Sequence, residues 1–500
     1  MGRGSKIAVD EPINIQEIVY IPQRSGKQSH QFVAAAIVNI LSFVSGSTYG
    51  WMAPMLPVLQ GEDSPLGIPP VSDTDASWLA SIPSMSRLLT IPLYGLAMDR
   101  LGHKATGYLI AAPFIVGWLL LLFANSLGML FWSRIITGLA YGGIAIFVPS
   151  YTIDIAEDSV KGRLGVLFAL SMNIGCTFAY VMGSYTSYAV FHWTHTVIPV
   201  IFIVAFFWMP ESPLFLMTAG KAEEAKDALR WLRNGEDSEF ELNRIQFRAH
   251  EILEERKRKI SFKIITDRFT WRALLICVGL ILNQQLCGPA PITSYTLTIF
   301  RDSGSTIPAS AATIMIGALQ TVGSFMSSVT IERFGRRALL ISGDVVMATC
   351  LATLGLYLYL RALGWDVAVV GWLPVACLSA YILGMGAALG PLPFMLATEM
   401  VTPQARSVVQ SVCIVTVALS TFGATFSFVP LVALVGQHGC FLLYALVCVV
   451  GAVCVFLTVP ETKNRSIEEV VEQLKSDRYV RSVLRGRTAT PDNTKQKCST

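Results

Sequence analysis

Apolar windows of about 20 residues, the length a helix needs to cross a bilayer, recur along the whole chain. Twelve are predicted, at 31–57, 76–98, 105–124, 127–152, 163–186, 193–209, 269–300, 308–331, 337–361, 369–398, 407–434 and 438–459. A hydrophilic stretch from Glu211 to Phe269 divides them six and six; it carries a helical pattern over Lys221–Arg233 and a charged run from Glu251 to Lys259. The expected architecture is an all-α membrane protein. A polar tail (1–30) precedes a first six-helix bundle (31–209), a helical linker (210–268), a second bundle (269–459) and a second tail (460–500). In that last tail Ser466 with Glu469 reads as a capping box, and Ile467, Val470, Val471 and Leu474 form one apolar stripe. Beyond about Ser476 the tail turns polar and is expected to be disordered.

The seventh window is irregular. It runs through Asn283-Gln284-Gln285-Leu286-Cys287-Gly288-Pro289-Ala290-Pro291. Each proline lacks an N–H and strains the preceding turn, so the carbonyls of Gln285 and Cys287 lose their helical partners. In hydrocarbon such a break is tolerated only where it faces protein or a water-filled cavity. Adjacent amides offer donors and acceptors together, which suits a neutral polyhydroxylated ligand better than an ion. Two readings satisfy these groups equally: the wall of a solute site, or a kinked helix whose glutamines bond its neighbours.

Composition agrees with the windows, since 53% of residues are hydrophobic and 14% charged and mean hydropathy is +0.54, values of a polytopic membrane protein. The net charge of +4 is too small and too scattered to argue for nucleic acid. Most of the ten cysteines, among them Cys277, Cys287, Cys350, Cys377, Cys413 and Cys448, sit inside apolar runs without metal-ligand spacing. They read as small hydrophobes. The first 31 residues lack an apolar core followed by a cleavage site, so the first window is expected to act as a signal anchor. One set of loops carries Arg100, Lys104, Lys161, Arg163, Arg333, Arg336, Arg337 and Arg406; the opposite set has almost no basic residues beyond Arg301 and Arg361. Both termini and the linker are therefore expected in the cytoplasm. The sequon at Asn464 falls on that side and is not expected to be glycosylated.

The halves repeat their punctuation. Asp99-Arg100-Leu101-Gly102-His103-Lys104 echoes Glu332-Arg333-Phe334-Gly335-Arg336-Arg337. Asp154 with Lys161-Gly162 echoes Glu399 with Arg406, and Pro210-Glu211-Ser212-Pro213 echoes Pro460-Glu461-Thr462-Lys463. Three paired motifs in one order imply two parallel six-helix repeats, with a site near the midplane between them.

These motifs, with Arg134-x-x-x-Gly138, Gln284-Gln285-Leu286-x-Gly288 and Gly390-Pro391-x-Pro393, resemble those of the major facilitator superfamily and its sugar porter family. Gly371-Trp372-Leu373-Pro374 and Tyr381-Ile382-Leu383-Gly384 look most like the facilitated trehalose transporter branch. The resemblance spans about residues 31 to 475. It implies that Gln284 and Gln285 hydrogen-bond sugar hydroxyls, that Gln320 supplies the next amide, and that Phe394 stacks a sugar face where relatives have tryptophan. Asn173 stands near the position of a span-five glutamine, which itself falls at Ala169. Ala290 replaces an asparagine, and Val417-Ala418 replaces an Asn-Trp pair. These losses predict a roomier, less polar cavity. Proton-coupled relatives carry an aspartate in the first span; Thr48 stands near that place, so facilitated diffusion is expected.

Charges at the cytoplasmic helix ends are expected to gate the path. Asp99, Arg100, Asp154, Lys161, Glu332, Arg333, Glu399 and Arg406 are candidates for pairing across the halves, with Asp99 favourably placed near a helix N-terminus. Each pair is weak alone, but a network biases a two-state equilibrium. Arg87, inside an apolar window, is a functional candidate by its charge alone: it contacts substrate hydroxyls, shifts the substrate class towards anions, or simply snorkels or pairs with a nearby acid. Asp344 reads as a structural residue. The expected protein is a plasma-membrane uniporter of trehalose or another small saccharide, working by alternating access. No enzyme activity, cofactor, nucleic acid or obligate protein partner is expected. Its rivals are a proton-coupled symporter, a non-transporting sugar sensor and, from Arg87 and the missing sugar contacts, a transporter of another solute.

Overall fold

The structure, a computed structural model, describes residues 28–62, 64–235, 239–257, 268–463, 465 and 469. Ser466 and the apolar stripe expected after it lie outside the described residues, which include Glu469 alone of the expected capping box. Among those described there are helices and no strand. The first crossing is α1 (Ser29–Gly50) continued by α2 (Met52–Gln60) after an interruption at Trp51. It is followed by α3 (Asp73–Leu122), α4 (Leu127–Ile155), α5 (Lys161–Tyr185) and α6 (Tyr188–Phe207). The linker forms α7 (Pro213–Thr218), α8 (Ala222–Leu232) and α9 (Glu239–Lys257). Then come α10 (Arg268–Leu286), α11 (Pro289–Ser303), α12 (Ala309–Arg333) and α13 (Arg336–Ala362). The chain ends its described helices with α14 (Leu373–Gly384), a π-helical turn at Met385–Leu389, α15 (Leu392–Glu399) and α16 (Pro403–Thr458).

Among the described residues, ten stretches are long and apolar enough to cross a membrane. Two of them are double: α3 has 50 residues and turns at Gly102 (φ 88°), and α16 has 56 and turns at Gly436 (φ 73°). A helix rises about 1.5 Å per residue, so each is long enough to cross twice, and twelve crossings result. The sixth window, expected at 193–209, begins earlier, at Tyr188, where Ser187 caps the helix by accepting from the Val190 N–H.

Packing falls into two groups, α3 with α4 and α6 and α1 with α5 in the first, and α16 with α13 and α10 in the second. Buried aromatic rings such as Trp51, Trp118, Phe147 and Phe206 fill the first group. The linker sits on that group. Arg233 is buried, bonds Glu241 on α9 and donates to the Ile155 carbonyl at the end of α4 (3.1 Å), while Trp231 stacks on His30 at 4.5 Å. Asp158, in the loop after α4, takes hydrogen bonds from Arg244 of α9 and from Lys161, which hold its carboxyl down at about 2.

Candidate functional site

The interrupted seventh crossing breaks where the prolines require it. Gly288 takes φ 92° between α10 and α11, and Pro289 opens the new helix, where its missing N–H costs nothing. The freed carbonyl of Cys287 accepts from the Tyr381 hydroxyl of α14 (3.1 Å), and that of Gln285 keeps only a long bond from the Gly288 N–H (3.4 Å). A second break faces it. The π-turn before Pro391 shifts the hydrogen-bond register, with the Gly390 N–H reaching back to Met385 (2.8 Å). The carbonyls of Leu389 and Gly390 then each accept one N–H of the Gln284 amide, both at 2.8 Å. Gln284 therefore braces two broken helices, and its amide nitrogen is fully used.

Between the groups lies a cavity walled by α1, α3, α4, α11 and α16. Eight of its twelve lining residues carry a hydroxyl: Thr48, Tyr49, Ser84, Thr137, Tyr141, Ser294, Thr421 and Thr425. The others are Ala80, Pro83, Arg87 and Arg134, so two lining residues are cationic and none is acidic. Arg134 is 3% exposed; its Nε donates to the Leu79 carbonyl (3.0 Å), its Nη1 to the Thr48 carbonyl (3.2 Å), and its guanidinium lies over Trp51 (4.9 Å).

The six sequence-derived contact residues are distributed unevenly. Thr48 lines the cavity, although its hydroxyl is spent on the Val44 carbonyl (2.8 Å). Gln285 reaches it through Thr421, whose Oγ1 donates to Gln285 Oε1 (3.0 Å). Asn173 and Gln320 meet across the two groups: Asn173 Nδ2 donates to Ser324 Oγ (2.5 Å) and to the Gln320 carbonyl (3.4 Å). Gln320 Oε1 and Gln284 Oε1 are buried acceptors with no hydrogen bond among the described residues. Phe394 is 42% exposed and lies outside the cavity lining. Asp344 is buried and accepts from Asn283 Nδ2 (2.9 and 3.1 Å), away from the lining.

Arg134 had a signal in the sequence, a charge inside an apolar window, and its buried position is what that rule would have found. Tyr49, Tyr141, Thr421 and Thr425 had none, because a hydroxyl in a membrane helix can equally bond its own helix, a neighbouring helix or a solute.

Residues 34–474 match the family described as "Sugar (and other) transporter". The chain belongs to the sugar transporter family. A facilitated trehalose transporter of Polypedilum vanderplanki is 33% identical over 445 residues, 89% of this chain and 88% of that protein. One from Culex quinquefasciatus is 32% identical, over 89% and 86%. Among solved structures, the E. coli xylose transporter XylE in a partially occluded inward open conformation aligns with TM-score 0.72 at 19% identity, over 88% of this chain and 100% of that one. Its inward open conformation aligns with TM-score 0.74 at 16% identity, over 88% and 99%. These likenesses carry the fold of the major facilitator superfamily.

In this sugar transporter the repeated charged motifs build two matching latches. Glu211 accepts from the backbone N–H groups of His103 (2.9 Å) and Lys104 (3.0 Å), just past the Gly102 turn. Glu461 does the same for Arg336 (2.9 Å) and Arg337 (3.2 Å), just past Gly335. Each glutamate thus caps a helix start whose N–H groups have no helical partner. Beside them Ser212 donates to Asp154 (2.7 Å) and Thr462 to Glu399 (2.5 Å), while His103 lies 3.7 Å from Asp154 and Arg336 3.4 Å from Glu399. So Asp154 and Glu399 take these partners inside their own halves. Lys161 pairs with Asp158 (2.5 Å). Arg100 and Arg333 are exposed, the Arg333 carbonyl accepting from Lys463 Nζ (2.8 Å), and Asp99 is exposed. Arg406 is half-buried with its Nε unbonded among the described residues; the side chain of Glu332 lies outside the description.

Burial opposes ionisation of Glu211, but hydrogen bonds from His103, Lys104 and Ser212 outweigh it and lower its pKa. A lowered folded pKa contributes stability that is complete above the unfolded value of about 4.3 and is lost as pH falls through the folded value. Glu211→Gln is expected to lower the thermal midpoint at pH 7 and to flatten its decline below about pH 4.3. A variant with the wild-type acid limb would show that the latch does not couple to folding. Each bond to the charged carboxylate contributes about 1.5–3 kcal/mol.

Proposed function

We propose that this chain is a facilitative transporter of the plasma membrane, moving trehalose or another small saccharide by alternating access, with both termini and the linker in the cytoplasm. One observation carries the reading: a cavity between the two halves lined by eight hydroxyl residues and no carboxylate. Such a lining exchanges hydrogen bonds with a polyhydroxylated solute, and it holds no acid through which a proton would be coupled. Catalysis has no role in the reading. The sugar transporter family and the trehalose transporters among the relatives support the substrate class.

We infer an inward-facing state. Tyr180 of α5 donates to the Thr293 carbonyl of α11 (2.9 Å) and Trp78 packs on Phe426 (4.8 Å), joining the halves at the end away from the latches. At the other end the latch bonds stay within each half. Pairing of the cytoplasmic charges across the halves, Arg100, Arg333 and Arg406 among them, is assigned to the outward-facing state, where it closes the inner gate.

The test is counterflow in proteoliposomes with trehalose, glucose and sucrose, with and without a pH gradient. Exchange of a saccharide that ignores the gradient is the expected result; accumulation against a gradient that a protonophore collapses would establish a symporter, and binding without exchange a sensor. Gln285→Ala is expected to weaken saccharide affinity about 5- to 150-fold, the loss of one half-buried polar contact of about 1–3 kcal/mol. Unchanged uptake and affinity would remove Gln285 from the site.

A further inference from the structure

The feature a neutral sugar leaves unused is the charge on Arg87. Its side chain lines the cavity, in an element that otherwise presents Ala80, Pro83 and Ser84 to it. Nη2 has one long hydrogen bond, to Thr421 Oγ1 at 3.5 Å, and the guanidinium lies 5.6 Å from the centre of the Tyr141 ring. Its Nε is buried with no hydrogen bond among the described residues. No lining residue is acidic. A guanidinium has five N–H donors in a planar fork shaped for a carboxylate, and among the described residues the long bond to Thr421 is the one side-chain hydrogen bond it makes. In a membrane interior a cation without an anionic partner is costly, and hydroxyl acceptors satisfy its hydrogen bonds without neutralising it.

We propose that the cavity takes a saccharide bearing a single carboxylate, of the uronate class, with Arg87 as its counter-ion. The inference rests on the saccharide-transport reading above and narrows its substrate. A single negative charge is indicated because the second cation is already engaged: Arg134 gives its Nε and Nη1 to backbone carbonyls and stacks on Trp51. The phosphate of a sugar phosphate, carrying nearly two charges, would leave one unmatched. Ser84, Tyr141 and Thr421 line the same cavity as Arg87, with Thr421 Oγ1 3.5 Å from its Nη2 and the Tyr141 ring centre 5.6 Å from its guanidinium, so a carboxylate bonded to Arg87 places the rest of a sugar ring in a hydroxyl-lined space. Thr421 also touches Gln285, which joins the charged corner to the amide that the sugar reading uses.

The experiment is counterflow by the full-length protein in proteoliposomes with glucuronate, glucose, trehalose and glucose 6-phosphate, in wild type, Arg87→Gln and Arg87→Lys. The expected result is glucuronate exchange in wild type that exceeds glucose exchange at least tenfold. The glucuronate-to-glucose ratio should fall at least tenfold in Arg87→Gln and only partly in Arg87→Lys. A rise in the wild-type thermal midpoint with glucuronate larger than with glucose gives the same answer if Arg87→Gln fails to fold. Exchange of glucose or trehalose with no response to glucuronate overturns this inference and leaves the saccharide reading intact. Preference for glucose 6-phosphate also overturns it. Exchange of no saccharide at all overturns both.

Discussion

Gly46→Leu is expected to abolish recovery of folded protein. Gly46 of α1 and Gly175 of α5 sit opposite each other where the two helices touch backbone to backbone. A Cβ on Gly46 would lie 1.7 Å from the Met172 carbonyl oxygen, and one on Gly175 would lie 2.0 Å from that of Phe43. No rotamer change relieves such an overlap, because the obstacle is main chain. Overpacking against movable side chains costs about 1–3 kcal/mol, and here the helices themselves must separate. The separation would also move Thr48 and Asn173, two and two residues from the contact on α1 and α5 respectively. Gly46→Ala should show a smaller version of the same defect, and Gly175→Leu should match Gly46→Leu. The measurement is the yield of monodisperse protein in detergent together with its thermal midpoint. A Gly46→Leu protein with wild-type yield and midpoint would mean that α1 and α5 do not approach as described.

Gln284→Leu is expected to destabilise the transporter more than it alters any remaining affinity for saccharide. The amide supplies hydrogen bonds to two carbonyls, those of Leu389 and Gly390, at a break where the helix cannot supply them. Leaving buried polar groups unmatched costs about 1–3 kcal/mol each, so the thermal midpoint should drop by several degrees. Gln284→Glu should be worse, since an ionised carboxylate only accepts and would face two further acceptors. If Gln284→Leu keeps the wild-type midpoint but loses saccharide exchange, the residue is a direct contact and the brace is secondary. The contrast with Gln285→Ala, where affinity is expected to fall with little change in midpoint, separates the two adjacent amides by role.

The membrane windows were legible because each is a local property, an unbroken apolar run long enough to satisfy all its backbone groups inside a helix. The predicted boundaries at 127–152 and 163–186 fall close to Leu127–Ile155 and Lys161–Tyr185. The sixth window started late because Tyr188 and His192, just before it, lower local hydropathy although they belong to the one helix that starts at Tyr188. The Gly-Pro-x-Pro break was also visible, since a missing N–H is written in the residue type. Repetition of the charged motifs announced two related halves, and both members of each pair make matching contacts in the latches.

What the residues do across the fold was not legible in the same way. Gln284 finds its partners 105 and 106 positions away, at a π-turn that no local pattern disclosed. Phe394 was expected beside a sugar face, yet it is 42% exposed and outside the cavity lining. Asp154 and Glu399 were expected to face charges of the other half, whereas they take His103, Ser212, Arg336 and Thr462 of their own. Which side a gate shows is a property of one conformation, and sequence describes all of them at once.

From local chemistry alone follow the membrane class, the number of crossings, the repeat and the position of the broken helix: hydrocarbon forces backbone hydrogen bonds to be satisfied within each segment, so those facts are stored in short stretches. The cavity is different. Its wall is assembled from α1, α3, α4, α11 and α16, and whether a hydroxyl, an amide or the Arg87 guanidinium faces solute or protein depends on how those helices are rotated and packed. That rotation is set by contacts between residues far apart in the chain, and so it became readable only in three dimensions.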